Sequence, residues 1–349
     1  MTIRTLFYYS LLFIPTVSFS LSAKQLNLLM WEDTLSTRVI NQWQKETGIT
    51  LNITHFDSND DRDILLSGNQ NLPFDILVLD NISTNVFAEL GKLSEITKIK
   101  NRKHHDKFWL EACGEFGQPY FWGSVGVVYR TDKVKNPPKT WAEFIRPPPE
   151  LSGHIGLLND TTDSFLPFLL SRGISPHTDN AVALKQTYQA MRRFNQHVLT
   201  YQYPLTFMNQ ESNAQELFLA MAYSGDQHLL NQQSGKDIWR FVALSQQPQL
   251  WLDCLTINKK SAKQALAKRF ISYVSSPNIS ATNATEIKAA TTNRSARKLL
   301  PGWYLNDALL SAETENILVR QMEQVLSAEN ISLRAKILSQ LLIDHETQY

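Results

Sequence analysis

Two tryptophan-x-aspartate pairs stand far apart in the chain, each at an apolar run: Trp31 and Asp33 in LNLLMWED, Trp251 and Asp253 in WLDCLTI. If WLDCLTI is a strand, alternation sends Trp251, Asp253 and Leu255 to one face and Leu252 with Cys254 to the other. An acid within a buried strand is costly unless something pairs with it. Asp80, Asp160 and Asp163 fall at comparable strand-to-helix junctions, and Tyr223 adds a further aromatic. Carboxylates hold ammonium groups by charge-assisted hydrogen bonds. Indole and phenol faces attract cations and also cover the methylenes between charges. Acids interleaved with aromatics therefore suit a ligand that alternates NH2⁺ with CH2 groups, such as a linear polyamine.

Each residue also has a structural reading. Asp160 or Asp163 can cap the helix that begins near Ser164, and Asp80 can close an Asx-turn on its own loop. Trp31 and Trp251, taken singly, can be core. Asp253 can be half of a buried salt bridge to an arginine. Catalysis has little support, since Gly-x-Ser-x-Gly, Walker A, Gly-x-Gly-x-x-Gly and His-Glu-x-x-His are all missing. The enzyme-class alternative is a carbohydrate-binding protein or a glycosidase with paired carboxylates beside tryptophans. Five acids without an evident basic counterpart favour a cation over a neutral sugar. The His104–His105 pair in NRKHHDK reads as a solvated loop, and neither a metal site nor a cofactor is expected.

The chain of 349 residues is 43% hydrophobic and 19% charged, enough for two domains. Its formal net charge of +1 gives no field for nucleic acid. Residues 1–23 have a secretory signal layout: Arg4, an apolar block containing Pro15, then small residues, with cleavage after Ser20 or Ala23. The expected product is exported to the periplasm and monomeric. Cys113 and Cys254 are the only cysteines. An oxidising compartment suggests a disulfide between them, with two buried thiols as the alternative. Cys254 would point away from Asp253, toward the region where Cys113 precedes a long extended run.

The elements that must carry these residues follow from periodicity. QLNLLMW (25–31), TLNITHF (50–56) and FDILVLD (74–80) read as strands separated by helices, the first capped by Ser36 and ended at Gly48. QPYFWGSVGVVYR (118–130) is a long extended run, and a proline-rich break leads to a second α/β series from residue 154. The helix SAKQALAKRFISYVSS should stop at Pro277, and the tail from Ala312 should be helical with an interruption near Ala328. Strands alternating with helices predict α/β lobes with mainly parallel sheets, and ligands collect at the carboxyl ends of such strands. The expected organisation is a signal peptide at 1–23, lobe 1 at 24–130 plus 250–298, and lobe 2 at 131–249 plus 299–349.

At LLMWEDTLSTRVINQWQKETGI, FDILVLD, PYFWGSVGVVY, TWAEFI, WLDCLTI and TNRSARKLL the sequence resembles the periplasmic spermidine/putrescine-binding proteins, over nearly the whole mature chain. The resemblance implies a two-lobed periplasmic binding protein fold of type II that closes on its ligand about a hinge of crossing strands. It implies that Trp31, Asp33, Asp160, Asp163, Tyr223, Trp251 and Asp253 contact the amine, Asp33 standing for a glutamate and Tyr223 for a tryptophan. It also brings in Gln321 as a site glutamine. Asp80 departs from the family's serine, and Ile82 and Ala289 from its tyrosines, so the preferred amine, spermidine or norspermidine, stays open. So does the membrane partner: a polyamine transporter permease, or a membrane-bound signalling protein as in norspermidine-sensing relatives.

Overall fold

The computed structural model describes residues 25–32, 34–68, 71–245, 248–311, 322 and 324–347. The expected signal segment, Asp33 and Gln321 lie outside the described residues. No described helix is long and apolar enough to cross a membrane.

The described strands form one ten-stranded sheet shared by two lobes. In the first lobe β1 (Gln25–Trp31) lies between β2 (Thr50–Phe56) and β3 (Ile76–Asp80), all parallel. β9 (Leu250–Ile257) then runs antiparallel beside β3 and also beside β4 (Gly117–Arg130). The first half of β4 pairs with β9, and its second half pairs with β7 (Leu219–Tyr223) and β8 (Trp239–Val242) of the second lobe. There β5 (Ile155–Gly156) pairs in parallel with β7 and with β6 (Val198–Thr200). β10 (Ala290–Thr291) is a short antiparallel addition to β4. The sheet is thus mixed. Parallel pairing belongs to the strand–helix–strand units, whereas the strands that join the lobes return antiparallel to them.

Local chemistry explains the elements that carry the site. Helix α1 (Thr37–Thr47) starts where the Ser36 hydroxyl accepts from the Val39 N–H, and it ends at Gly48 in the left-handed region. Its Val39 and Trp43 are buried against the first-lobe part of the sheet. Helix α2 (Asn59–Ser67) is capped by Ser58, and helix α3 (Asn81–Glu89) is capped by Asp80 itself. Pro277 ends one helix and also starts the next, Pro277–Ile287, because proline fits the first helical turn where no N–H is needed. Of the tail expected to be helical from Ala312 with an interruption near Ala328, residues 312–321 lie outside the described residues, and a helix starts at Ala328, where the Ser327 hydroxyl accepts from the Asn330 N–H.

One core gathers Leu26, Leu28, Trp43, Ile76, Val78 and Phe270, and another gathers Val127, Phe165, Phe194, Leu219 and Met221. The helix Ala328–Glu346 packs into the second core through Ile337, Leu338 and Leu341. Leu300, Tyr304 and Leu310 belong to the first. Tyr304 is fixed there by donating its hydroxyl to the Ala289 carbonyl and accepting from the Thr291 N–H. The described chain is thus in the first core at Leu310 and in the second at Ile337.

A disulfide joins Cys113, the last residue of α4 (Lys107–Cys113), to Cys254 on β9, with Cα atoms 5.9 Å apart. It pins the face of β9 opposite Asp253. His105 is buried rather than solvated, its Nδ1 within 2.8 Å of the Thr292 hydroxyl.

Candidate ligand-binding site

A narrow cavity of about 90 Å³ lies between the lobes. Trp31 and Asp80 reach it from the last positions of β1 and β3, Tyr223 from the last position of β7, and Trp251 and Asp253 from β9. Asp163 comes from the turn after β5. Strand alternation does what the sequence requires: Trp251 and Asp253 face the cavity, while Leu252 and Cys254 pack behind with Trp109 and Trp122. Glu32, Tyr203 and Asp226 add to the polar and aromatic lining, and Lys288 is also among the lining residues.

The rings form a continuous chain. Trp31 and Tyr203 have centroids 6.3 Å apart, Tyr203 and Tyr223 are at 5.9 Å, and Tyr223 and Trp251 are at 6.0 Å. Such a wall can cover methylenes along its length and offer ring faces to cations between them. Trp31 belongs to the first lobe and Tyr203 to the second, so the chain of rings spans the cleft. Other contacts also cross it. Asp60 of α2 accepts from both the N–H and the hydroxyl of Thr161, each at 2.9 Å. His228 Nε2 lies 3.3 Å from the Asp307 carboxylate. Gly225 abuts the Lys288 carbonyl so closely that a Cβ there would stand 2.7 Å from the oxygen, and its φ of 111° independently requires glycine.

The acids differ sharply in how they are satisfied. Asp253 is 4% exposed and receives no hydrogen bond from any described residue. Burial pushes its carboxyl up to about 8; the Arg62 charge pulls the other way and the Asp80 charge adds to the rise. Asp226 accepts from the Tyr203 hydroxyl and the Tyr223 N–H, yet burial still raises it to about 7. Asp163 takes the Tyr223 hydroxyl at 2.8 Å on one oxygen, while the other is buried without a partner among the described residues. Burial and the neighbouring Asp160 charge hold Asp163 well above the ordinary carboxylate range. Asp80 is the exception. Burial opposes its charge, but Arg62 at 2.6 Å and the Ser83 N–H and hydroxyl outweigh that and hold it below the ordinary value. The cavity therefore contains several carboxyl groups short of positive charge, beside an aromatic wall.

A family model described as bacterial extracellular solute-binding protein matches residues 38–312. The chain belongs to that family. The solute-binding protein is 37% identical over 341 residues to the norspermidine sensor of Vibrio cholerae serotype O1, covering 98% of this chain and 95% of the sensor. It is 23% identical over 287 residues to spermidine/putrescine-binding periplasmic protein 1 of Haemophilus influenzae, covering 78% of this chain and 77% of that one. Its fold is similar to that of the spermidine/putrescine ABC transporter substrate-binding protein PotD from Streptococcus pneumoniae, with a TM-score of 0.72 and 21% identity over 92% of this chain and 99% of the other.

Among the described candidates, the cleft of the solute-binding protein brings together Trp31, Asp80, Asp163, Tyr223, Trp251 and Asp253. Asp160 is not among them. One of its oxygens accepts from the Thr162 and Asp163 N–H groups at 2.7 Å, which is the capping role, and the residue faces the outer grooves. Asp80 is at the cleft but already has its cation, so the expectation of acids without a basic counterpart fails at Arg62. Ala289 lines the cleft, whereas Ile82 lies on an outer groove. Sequence reasoning missed Asp226, Tyr203 and Glu32. Asp226 was findable, since it follows the strand LAMAY at a Ser-Gly step, a strand-to-helix junction like that of Asp80.

Gly123 on β4 pairs with Trp251 on β9, and a Cβ at 123 would stand 2.6 Å from Ser224 Oγ and 2.7 Å from the Trp251 ring. Gly123→Ala is expected to displace Trp251 from the cleft wall and cost about 1–3 kcal/mol of stability, the usual penalty for overpacking. Thermal denaturation checks the second effect and amine titration the first; an unshifted melting curve with unchanged affinity would show that Trp251 has room to yield.

Proposed function

We propose that this solute-binding protein binds a linear triamine, spermidine or norspermidine, in the periplasm and does not transform it. The observation that carries this reading is Asp253: a buried carboxyl with no donor among the described residues, set beside the cavity's aromatic wall. A secondary ammonium there would supply the missing positive charge, with Trp251 covering the adjacent methylenes. Asp163 and Asp226, both short of positive charge, suit further amines. A neutral sugar would leave these carboxyl groups as poorly compensated as before.

The two lobes, 24–130 with 250 to about 311 and 131–249 with the tail, close on the ligand, which favours the closed arrangement and shifts the population toward it. The closed, monomeric form is read by a membrane-bound signalling protein. Similarity to a norspermidine sensor across nearly all of both chains supports sensing. Similarity to spermidine/putrescine-binding periplasmic proteins supports delivery to a transporter permease as the second reading.

Titration calorimetry with diamines, triamines and neutral oligosaccharides tests the ligand class. Triamine binding stronger than putrescine binding is expected; sugar binding without amine binding would overturn the reading. Deleting the gene separates the partners, because a sensor leaves polyamine uptake intact and changes a regulated behaviour, whereas a transport component abolishes uptake.

A further inference from the structure

The Arg62–Asp80 pair is built into a wall between two spaces. Asp80 and Asn59 line the inner cleft and also an outer groove of about 650 Å³ on the far side. That groove carries Asp60, Asp63 and Asp160, so an acidic surface continues beyond the wall. Arg62, 1% exposed, anchors the wall. Its guanidinium donates to Asp80 and Asn59 at 2.6 Å and to Asp63 and Ser83 at 2.8 Å. The guanidinium carbon lies 5.2 Å from the centroid of the Phe56 ring, and that ring packs on Trp31 at 4.7 Å. A planar fork held at four donor contacts and against one ring has little freedom to swing aside.

The position of Asp80 gives this wall a consequence for the ligand. Asp80 and Asp253 are directly opposed in the β3–β9 register. Without Arg62 they would offer two adjacent carboxylates at this end of the cleft, and the acids of the outer groove would extend the path. With Arg62 in place, Asp80 is neutralised and the wall is held, so an ammonium at this end of the cleft finds neither a free carboxylate nor a path to the acids of the groove.

Resting on the polyamine reading of the cleft, we propose that Arg62 is a specificity-determining residue that limits ligand length: it withdraws Asp80 from the ligand and closes this end of the cleft to a further ammonium, so the site takes a linear triamine and rejects a linear tetraamine. Discrimination of this kind comes from an unfavourable state imposed on the wrong ligand, here a further ammonium desolvated with no free carboxylate to meet it.

The test is titration of the full mature chain with spermidine and with spermine, in the wild type, Arg62→Gln and Arg62→Gln/Asp80→Asn. The wild type is expected to prefer spermidine by about tenfold or more, given the cost of burying an ammonium without a partner. Arg62→Gln frees Asp80 and should narrow or invert that preference by about tenfold or more, since the further ammonium then meets an unpaired carboxylate. The double variant opens the wall without leaving the buried Asp80 charge unpaired, so it stands in if the single variant fails to fold, and its preference should fall between the other two. A purely structural Arg62 would change stability and leave the spermidine-to-spermine ratio where it was. An unchanged ratio in the folded variants, or equal binding of the two amines by the wild type, overturns the proposal and leaves the polyamine reading standing. Failure of the wild type to bind either amine overturns both.

Discussion

Asp253→Asn is expected to weaken triamine binding by about 2–5 kcal/mol, the usual loss when one member of a buried charged pair is truncated. At about 1.4 kcal/mol per factor of ten, that is about 30-fold to about 4,000-fold in affinity. The same substitution should not destabilise the ligand-free protein. Asp253 receives no hydrogen bond from a described residue, is 4% exposed, and stands opposite the charged Asp80. Its ionised form is a liability until a cation arrives. Asparagine keeps the shape and removes the charge, so the ligand-free melting temperature should hold or rise at neutral pH. The two readouts therefore move in opposite directions, which a residue kept for packing would not do. Calorimetry and thermal denaturation on the same preparation decide. A folded Asp253→Asn protein with wild-type amine affinity would remove Asp253 from the site.

Much of this was legible in the sequence because it depends on short-range periodicity. Alternation along WLDCLTI separated Trp251 and Asp253 from Leu252 and Cys254, and β9 keeps that division between cleft and core. Ser36 and Gly48 marked the ends of α1 because cap chemistry is local. What sequence could not supply was partnership at a distance. Asp160 and Asp163 are three residues apart and of one type, yet one caps the turn and the other faces the cleft, a division set by how the turn is oriented. Arg62 sits in NDDRDILLS among three acids and reads as part of a solvated polar helix. Only the packing of α2 against the end of β3 turns it inward to Asp80. The antiparallel course of β9 was hidden for the same reason, since strand–helix alternation reports the local units and not the strand that returns from the other lobe.

Triamine affinity should rise with pH from about 5 to about 8, and the stabilisation given by ligand should rise with it. Burial pushes Asp253 up to about 8 and Asp226 up to about 7, and Asp163 stands well above the ordinary range through burial and the Asp160 charge. All three are raised above the unfolded value of about 4. Below that value folded and unfolded chains both hold these protons, and the associated stability is fully present. As pH climbs, the unfolded chain releases its protons first while the folded chain keeps them, so the ligand-free protein loses stability up to the raised values. An ammonium pairs with the ionised carboxylate, so binding in this window must expel protons. Affinity then increases with pH by up to tenfold per unit for each carboxyl that ionises on binding. Above about 8 Asp226 and Asp253 are already ionised, and their contribution to the rise ends; at higher pH the amines themselves lose charge, the primary ammonium of lysine titrating near 10.4. Calorimetry in two buffers of different ionisation enthalpy at pH 6.5 measures the protons directly, and release to the buffer is expected. Thermal denaturation supplies the companion result: spermidine should raise the melting temperature more at pH 8 than at pH 5.5, while the ligand-free protein melts lower at pH 8. Proton uptake on binding, or an affinity that is flat across the window, would mean that these carboxyl groups are not the ones the amine meets.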